Sequence, residues 1–239
     1  MRLLGKFENL LADVKRWGLK RSAFIRVMSM LRRHAGLHIY RVNARPLSAG
    51  RPEAHLPEGI AVRIVAPDEL SRAADDPELD LDRDFVRDAL ARGDMAFGAF
   101  EGIRLVGYTW RTFSAAPDRE GVWVRVSRPY QYSYKAFTRP THRRKRIHVA
   151  ITFFADAYLL ARGYRFEVGY TEISNFSGIG LADFMGRLKI GYAGYVNWFG
   201  RSIPFRTAVV RKIGVELLDL RREHSRSADQ RAPMAIPGT

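Results

Sequence analysis

Cysteine is absent from all 239 residues. Its absence excludes a disulfide framework, a thiolate nucleophile and a cysteine-bound metal, and it suits a reducing compartment such as the cytoplasm. No apolar run approaches the roughly 20 residues that a membrane-crossing helix needs. The histidines (His34, His38, His55, His142, His148 and His224) never fall at a ligand spacing such as His-x-x-x-His, so no metal site is expected. Met1 to Asp13 carries charges inside its apolar stretch and has no small-residue cleavage pattern, so no signal peptide is expected. Helix-turn-helix, zinc-finger and RNP-type patterns are missing too, which argues against a specific nucleic-acid partner. There is no internal repeat or low-complexity tract.

Apolar residues make up 46% of the chain and aromatics 12%, enough for a packed core. The length fits one sizeable domain with appendages, or two small domains. The net charge of +15 is unevenly spread. Residues 1–51 hold 12 Lys/Arg against 2 Asp/Glu, residues 52–100 hold 5 against 12, and residues 101–239 hold 23 against 11. Basic ends of this kind imply a polyanionic partner: anionic lipid, an acidic carrier protein, a phosphorylated cofactor or nucleic acid.

Residues 1–36 read as a basic helical arm. Leu3, Phe7, Leu10, Val14 and Trp17 recur at helical spacing, Gly18 interrupts, and a second helix is predicted from Ser22 to His34. Two such helices in series suit an anionic membrane surface; they suit packing on the domain or on a second subunit equally well. Residues 37–59 are a strand, Leu37 to Val42, followed by a Pro/Gly-rich connector. The main domain is expected over residues 60–220 and a mobile polar tail over 221–239. Within the domain, strands are predicted at 60–65, 95–100 and 103–113, and 122–126 is expected to pair with 130–138. A helix follows over 147–162, then strands at 166–173, 192–199 and 203–210, with Gly200-Arg201-Ser202 as the last hairpin connection.

One ordered set of landmarks stands out. The strand ending at Thr138 runs into Arg139-Pro-Thr-His-Arg-Arg-Lys-Arg-Ile-His148 and a helix; the strand from Phe166 leads to Asn175; and Gly191-Tyr192 follows the next helix. From Ile60 to Val210 this order resembles the GNAT acyltransferase superfamily. The resemblance implies a mixed, mostly antiparallel sheet flanked by helices, with the basic amphipathic arm attached ahead of it. Members of that family usually carry Arg/Gln-x-x-Gly-x-Gly/Ala at the helix entrance, where backbone N–H groups bind the pyrophosphate of coenzyme A. Arg143 fits that pattern; Arg146 and His148 stand where the small residues belong. The basic side chains either crowd the phosphates or, with Arg144 and Lys145, hold them by charge-assisted hydrogen bonds.

The resemblance thus implies donor binding by Arg143, Arg144, Arg146, His148 and Asn175, the donor being an acyl-CoA or the phosphopantetheine of an acyl carrier protein. Arg187 stands near the place of the tyrosine that often protonates the leaving thiolate. Acyl transfer to an amine also needs a base and donors for the thioester carbonyl. Strand alternation puts Tyr170 and Glu172 on one face, and Glu172 is the candidate base; a salt-bridged surface carboxylate is the alternative. Tyr132 and Tyr134 share a face of the preceding strand and offer hydroxyls. The expected protein is a cytoplasmic N-acyltransferase with an amine acceptor, free or lipid-linked, peripheral to the inner membrane face if the arm binds lipid. The alternative is a non-catalytic GNAT-like module whose basic surface binds a membrane or an acidic partner.

Overall fold

Leu37–Pro46, the strand that sequence alone sets ahead of the main domain, lies inside its central sheet. The computed structural model describes residues 14–49, 56–117, 122–199 and 201–219. Residues 14–17 are helical, and α1 (Leu19–Ala35) follows after Gly18. It stops at Gly36, whose φ of 57° is left-handed and whose N–H bonds Leu31 O; a Cβ there would meet Asn197 at 2.7 Å. Next come β1 (Leu37–Pro46), β2 (Ile60–Ile64), α2 (Pro67–Ala73), α3 (Arg83–Ala91), β3 (Met95–Glu101), β4 (Arg104–Thr112), β5 (Ala115–Pro117), β6 (Val122–Arg125) and β7 (Tyr130–Thr138). The second half is α4 (Ile147–Leu160), β8 (Phe166–Glu172), α5 (Phe176–Phe184), β9 (Leu188–Trp198), β10 (Arg201–Arg206), α6 (Ala208–Lys212) and β11 (Glu216–Asp219).

Eight strands form one sheet in the order β10-β9-β1-β8-β7-β4-β3-β2, antiparallel except for β7 and β8. Because β1 has a neighbour on each side, its alternation gives way to continuous burial from Val42 to Arg45. On one face α4 lays Ile147, Ile151, Ala155 and Leu159 on Phe97 and Val106. The acid-rich α2–α3 segment covers the other face through Leu70, Leu79 and Val86 against Phe100, Tyr108 and Trp110. Each fully buried Leu or Ile contributes about 1.5–3 kcal/mol.

Three sequence expectations are corrected. The segment at 122–126 does not pair with 130–138: β6 joins β5 and β11 in a separate three-stranded sheet, because Ser127–Pro129 turns the chain away before β7 begins. The strand expected from 203 to 210 is β10 followed by α6, and Arg201 and Ser202, expected in the hairpin turn, begin β10; Gly200 lies outside the described residues. Gly191-Tyr192 does not open its strand, since β9 starts three residues earlier at Leu188.

Of the amphipathic stripe, Leu3, Phe7 and Leu10 lie outside the described residues, as do positions 50–55 of the connector and the tail 221–239. Trp17 turns inward onto Phe176 of α5 with ring centroids 5.9 Å apart, and Phe24 of α1 does the same at 6.1 Å. The described part of the arm therefore packs on the domain. Among the described residues no helix is long and apolar enough to cross a membrane.

Candidate active site

β7 and β8 pair in parallel only from Tyr130↔Phe166 to Tyr132↔Val168, then diverge. The cause lies on the other edge of β7. There Thr109 faces Ala136 while Trp110 faces Tyr134, so Lys135 is an extra residue, with a φ of +40°. A bulge of this kind bends its strand and ends regular pairing. The gap opens a cleft of about 600 Å³ between the strands, closed by α5 and the start of α4.

Tyr132, Tyr134, His148, Glu172 and Asn175 all line this cleft. Tyr132 and Tyr134, two apart on β7, stack at 5.7 Å, and Tyr170 of β8 meets Tyr132 edge-on at 5.6 Å. Tyr134 donates its hydroxyl to buried Asp94 at 2.7 Å; burial, and then the Asp94 carboxylate, push its pKa up, so it is a neutral phenol. Glu172 Oε1 accepts from Arg32 Nη1 of α1 at 2.5 Å and from Ser174 Oγ at 2.9 Å. The carboxylate singled out as a base is thus held by an ion pair with the N-terminal helix. Asn175 caps α5, its Oδ1 accepting from Gly178 N at 2.9 Å.

His148 is the second residue of α4 and is half-buried, its side chain reaching the cleft. Burial, reinforced by Arg187 and Arg111, pushes its pKa down to about 4. The imidazole is neutral at physiological pH and offers hydrogen bonds in place of charge.

Behind these residues lies a buried charge cluster. Glu167 of β8 takes Arg187 Nη2 at 2.5 Å and Arg45 Nη2 at 2.6 Å, with Arg111 Nη2 at 3.6 Å. Arg45 also forms a two-pronged contact with Asp156 of α4 at 2.6 and 3.0 Å. Burial would raise the Glu167 pKa, but the three guanidiniums outweigh it and keep the group well below the usual carboxylate range. Arg187 lines the cleft, so this cluster fixes one of its walls.

Arg143, Arg144 and Arg146 are not cleft residues. They lie on the exposed loop that enters α4, with Lys145 among them. The first half of the basic run is structural: Arg139 is buried and bonds Leu105 O, Asp76 and Glu78, and His142 is buried as well. The second half is free of ion pairs among the described residues. Arg144 and Arg146 hold positive φ angles of 64° and 58°. A left-handed conformation costs a non-glycine residue about 1–2 kcal/mol. At Arg146 it falls on a position where the resemblance expects glycine, the residue that adopts this conformation without that cost. No acid occupies the first turn of α4.

Tyr170 and Arg187 border the cleft as well, as do Tyr40, Phe85, Ser133 and Lys135, none of which is a sequence candidate. A signal for the cluster was present. Arg111 and Glu167 fall among apolar and aromatic residues of predicted strands, and charges at such positions are almost always paired when buried.

The sequence matches no protein-family model and no curated protein. Solved structures similar to the chain include a tandem GNAT protein from the clavulanic acid biosynthesis pathway, 18% identical, TM-score 0.43, over 68% of this chain and 55% of that one. A GCN5-related N-acetyltransferase-like protein from Streptococcus suis is 12% identical, TM-score 0.46, over 69% of this chain and 64% of that one. A GCN5-related N-acetyltransferase from Sphaerobacter thermophilus is 13% identical, TM-score 0.43, over 77% and 56%. The chain thus spans between 55% and 64% of the length of these three structures. The mostly antiparallel sheet flanked by helices, with its one parallel pair at β7–β8, is the GNAT-like fold that the resemblance implies.

Proposed function

We propose that the protein is an N-acyltransferase that moves an acyl group from a phosphopantetheine thioester to an amine. The reading rests on one observation: the β7–β8 cleft gathers two tyrosines, a carboxylate, a neutral imidazole and an asparagine from four elements. The donor's phosphates would be held by Arg143, Arg144 and Arg146 at the α4 entrance, through charge-assisted bonds and the helix N-terminus. Its arm would run past His148 and Asn175. The donor is an acyl-CoA or an acylated carrier protein, since both carry that arm, and the acceptor is an amine, free or lipid-linked.

In this scheme Glu172 takes a proton from the acceptor's ammonium. The amine then attacks the carbonyl carbon, the C–S bond breaks, the departing thiolate takes a proton from a phenol, and the second proton shed by the acylated nitrogen restores that phenol. Tyr132 and Tyr134 bring phenols to the cleft, and the Tyr134 hydroxyl is hydrogen-bonded to Asp94. The β7 edge beyond Tyr132 has left the β8 ladder and offers backbone N–H groups to the carbonyl oxygen.

A non-catalytic module is the second reading, favoured by Arg187 and His148, bulky side chains that both line the cleft. One assay separates the two. Thiol release from acetyl-CoA, a long-chain acyl-CoA and an acylated carrier protein is followed with a chromogenic disulfide reagent over a panel of amines. The chain has no cysteine, so the protein contributes no background. Amine-dependent thiol release supports the transferase; none with any donor supports the module.

A further inference from the structure

One side of the sheet carries an apolar surface with nothing in the described residues to cover it. Tyr192, Gly194 and Val196 alternate onto the side of the sheet where α1 lies, because Tyr192 shares a groove with Ile39 of β1 and Phe24 of α1. Ile203 and Phe205 of β10 pair with Val196 and Gly194 and so face the same way. Gly194 makes room for this arrangement, since a Cβ there would lie 2.5 Å from the Phe205 ring. At the β9–β10 turn, Trp198 is 62% and Phe199 90% exposed. That turn lies beside the end of α1, where Gly36 meets Asn197. On α1 itself Leu19, Val27 and Met30 are exposed at helical spacing, opposite buried Met28.

The charges around this surface have one sign. Residues 14–36 contain seven Lys/Arg and no Asp/Glu, and residues 184–215 contain six Lys/Arg and no Asp/Glu. Arg26, Arg33 and Arg201 are exposed. A second copy docked face to face would set cation against cation, as a twofold interface must pair a patch with itself. Edge-to-edge growth of the sheet is opposed by Pro204 in the edge strand β10. An anionic lipid surface meets both demands: it takes the aromatic tip among its headgroups and neutralises the cations.

We infer that the β9–β10 hairpin and the outer face of α1 form a docking face for an anionic membrane. This face is distinct from the stripe expected from Leu3 to Trp17, whose Trp17 turns onto α5. The start of α5 borders both the cleft, through its cap Asn175, and the groove beside α1, through Phe176. The inference stands whether or not the cleft is catalytic.

The test is co-sedimentation of the full chain with vesicles of phosphatidylcholine alone or mixed with phosphatidylglycerol, at low and high salt. Two double variants are compared, Trp198→Ser with Phe199→Ser and Arg26→Glu with Arg33→Glu. All four side chains are exposed, so both variants should keep the wild-type melting temperature. The expected result is salt-sensitive binding to the phosphatidylglycerol vesicles only. The arginine variant should bind at least about 25-fold more weakly, at about fivefold per lost cation with the added carboxylates repelled besides, and the aromatic variant at least about tenfold more weakly. Three outcomes would overturn the inference: no vesicle binding, equal binding to phosphatidylcholine alone, or a wild-type dimer in sedimentation velocity that the Trp198 and Phe199 substitutions dissolve.

Discussion

Replacing Glu167 by glutamine removes one negative charge from the middle of the molecule and keeps the side chain's size. The carboxylate is fully buried and is contacted by Arg187, Arg45 and Arg111 at 2.5, 2.6 and 3.6 Å. It is ionised at neutral pH because the three guanidiniums outweigh the penalty of burial. In the native protein Glu167 and Asp156 together balance most of that positive charge; in the variant three guanidiniums face Asp156 alone. Removing one partner of a buried ion pair costs about 3–5 kcal/mol. For a chain of this size 1 kcal/mol corresponds to about 2–4 °C, so Tm should fall by about 6–20 °C. Thermal unfolding followed by circular dichroism at pH 7 measures it directly. The variant should also lose donor affinity, because Arg187 loses the anchor that sets the cleft wall. A fall of less than about 2 °C would refute the charge balance on which this reasoning depends.

Three further outcomes are expected. Arg143→Ala with Arg144→Ala should weaken donor binding in calorimetry by about 1.5–3 kcal/mol per lost charge-assisted bond without lowering Tm; unchanged affinity would remove the loop from the donor site. Glu172→Gln should slow turnover by about 100- to 10,000-fold with donor affinity nearly intact, and wild-type-like turnover with the same acidic limb in the pH–rate profile would exclude Glu172 as the base. His148 has its native pKa lowered to about 4, so the unfolded chain binds that proton more tightly and stability falls as pH drops from about 6.5 towards 4. Between pH 7 and pH 5 this contributes a loss of about 2 kcal/mol, which His148→Gln should abolish in denaturant titrations at the two pH values; an unchanged slope would contradict it.

Much of the architecture was legible from local pattern. Apolar and aromatic runs bounded by turn residues located β2, β3, β4, β7 and β8, and the 3.6-residue period with its Gly163 stop located α4. The position of β1 was not legible, because nothing local to Leu37–Pro46 encodes which strands it separates; that depends on partners more than 120 residues away. The bulge that the resemblance implies has no position in the sequence for a similar reason. A lysine in a strand carries no mark of positive φ, and the register shift appears only against β4. At the site, Tyr132, Tyr134, Glu172, Asn175 and His148 do share a cleft. The ion pair from Arg32 to Glu172 joins positions 140 apart and has no sequence signature. The run from Arg139 to Arg146 looked uniform, yet its first half is buried against Asp76 and Glu78 while its second half faces solvent. Which cation finds a carboxylate was decided by the α2–α3 segment, far away in sequence.

Binding of a phosphopantetheine thioester in the β7–β8 cleft is tested most directly by the melting temperature of the full chain titrated with acetyl-CoA, a long-chain acyl-CoA and an acylated carrier protein. A ligand that binds only the native state at 100 times its Kd stabilises it by about 2.7 kcal/mol, which for this chain length is about 5–11 °C. At least one donor should produce a saturable rise of that size, absent in the variant combining Arg143→Ala and Arg144→Ala. A melting temperature that stays flat with all three donors would contradict the account.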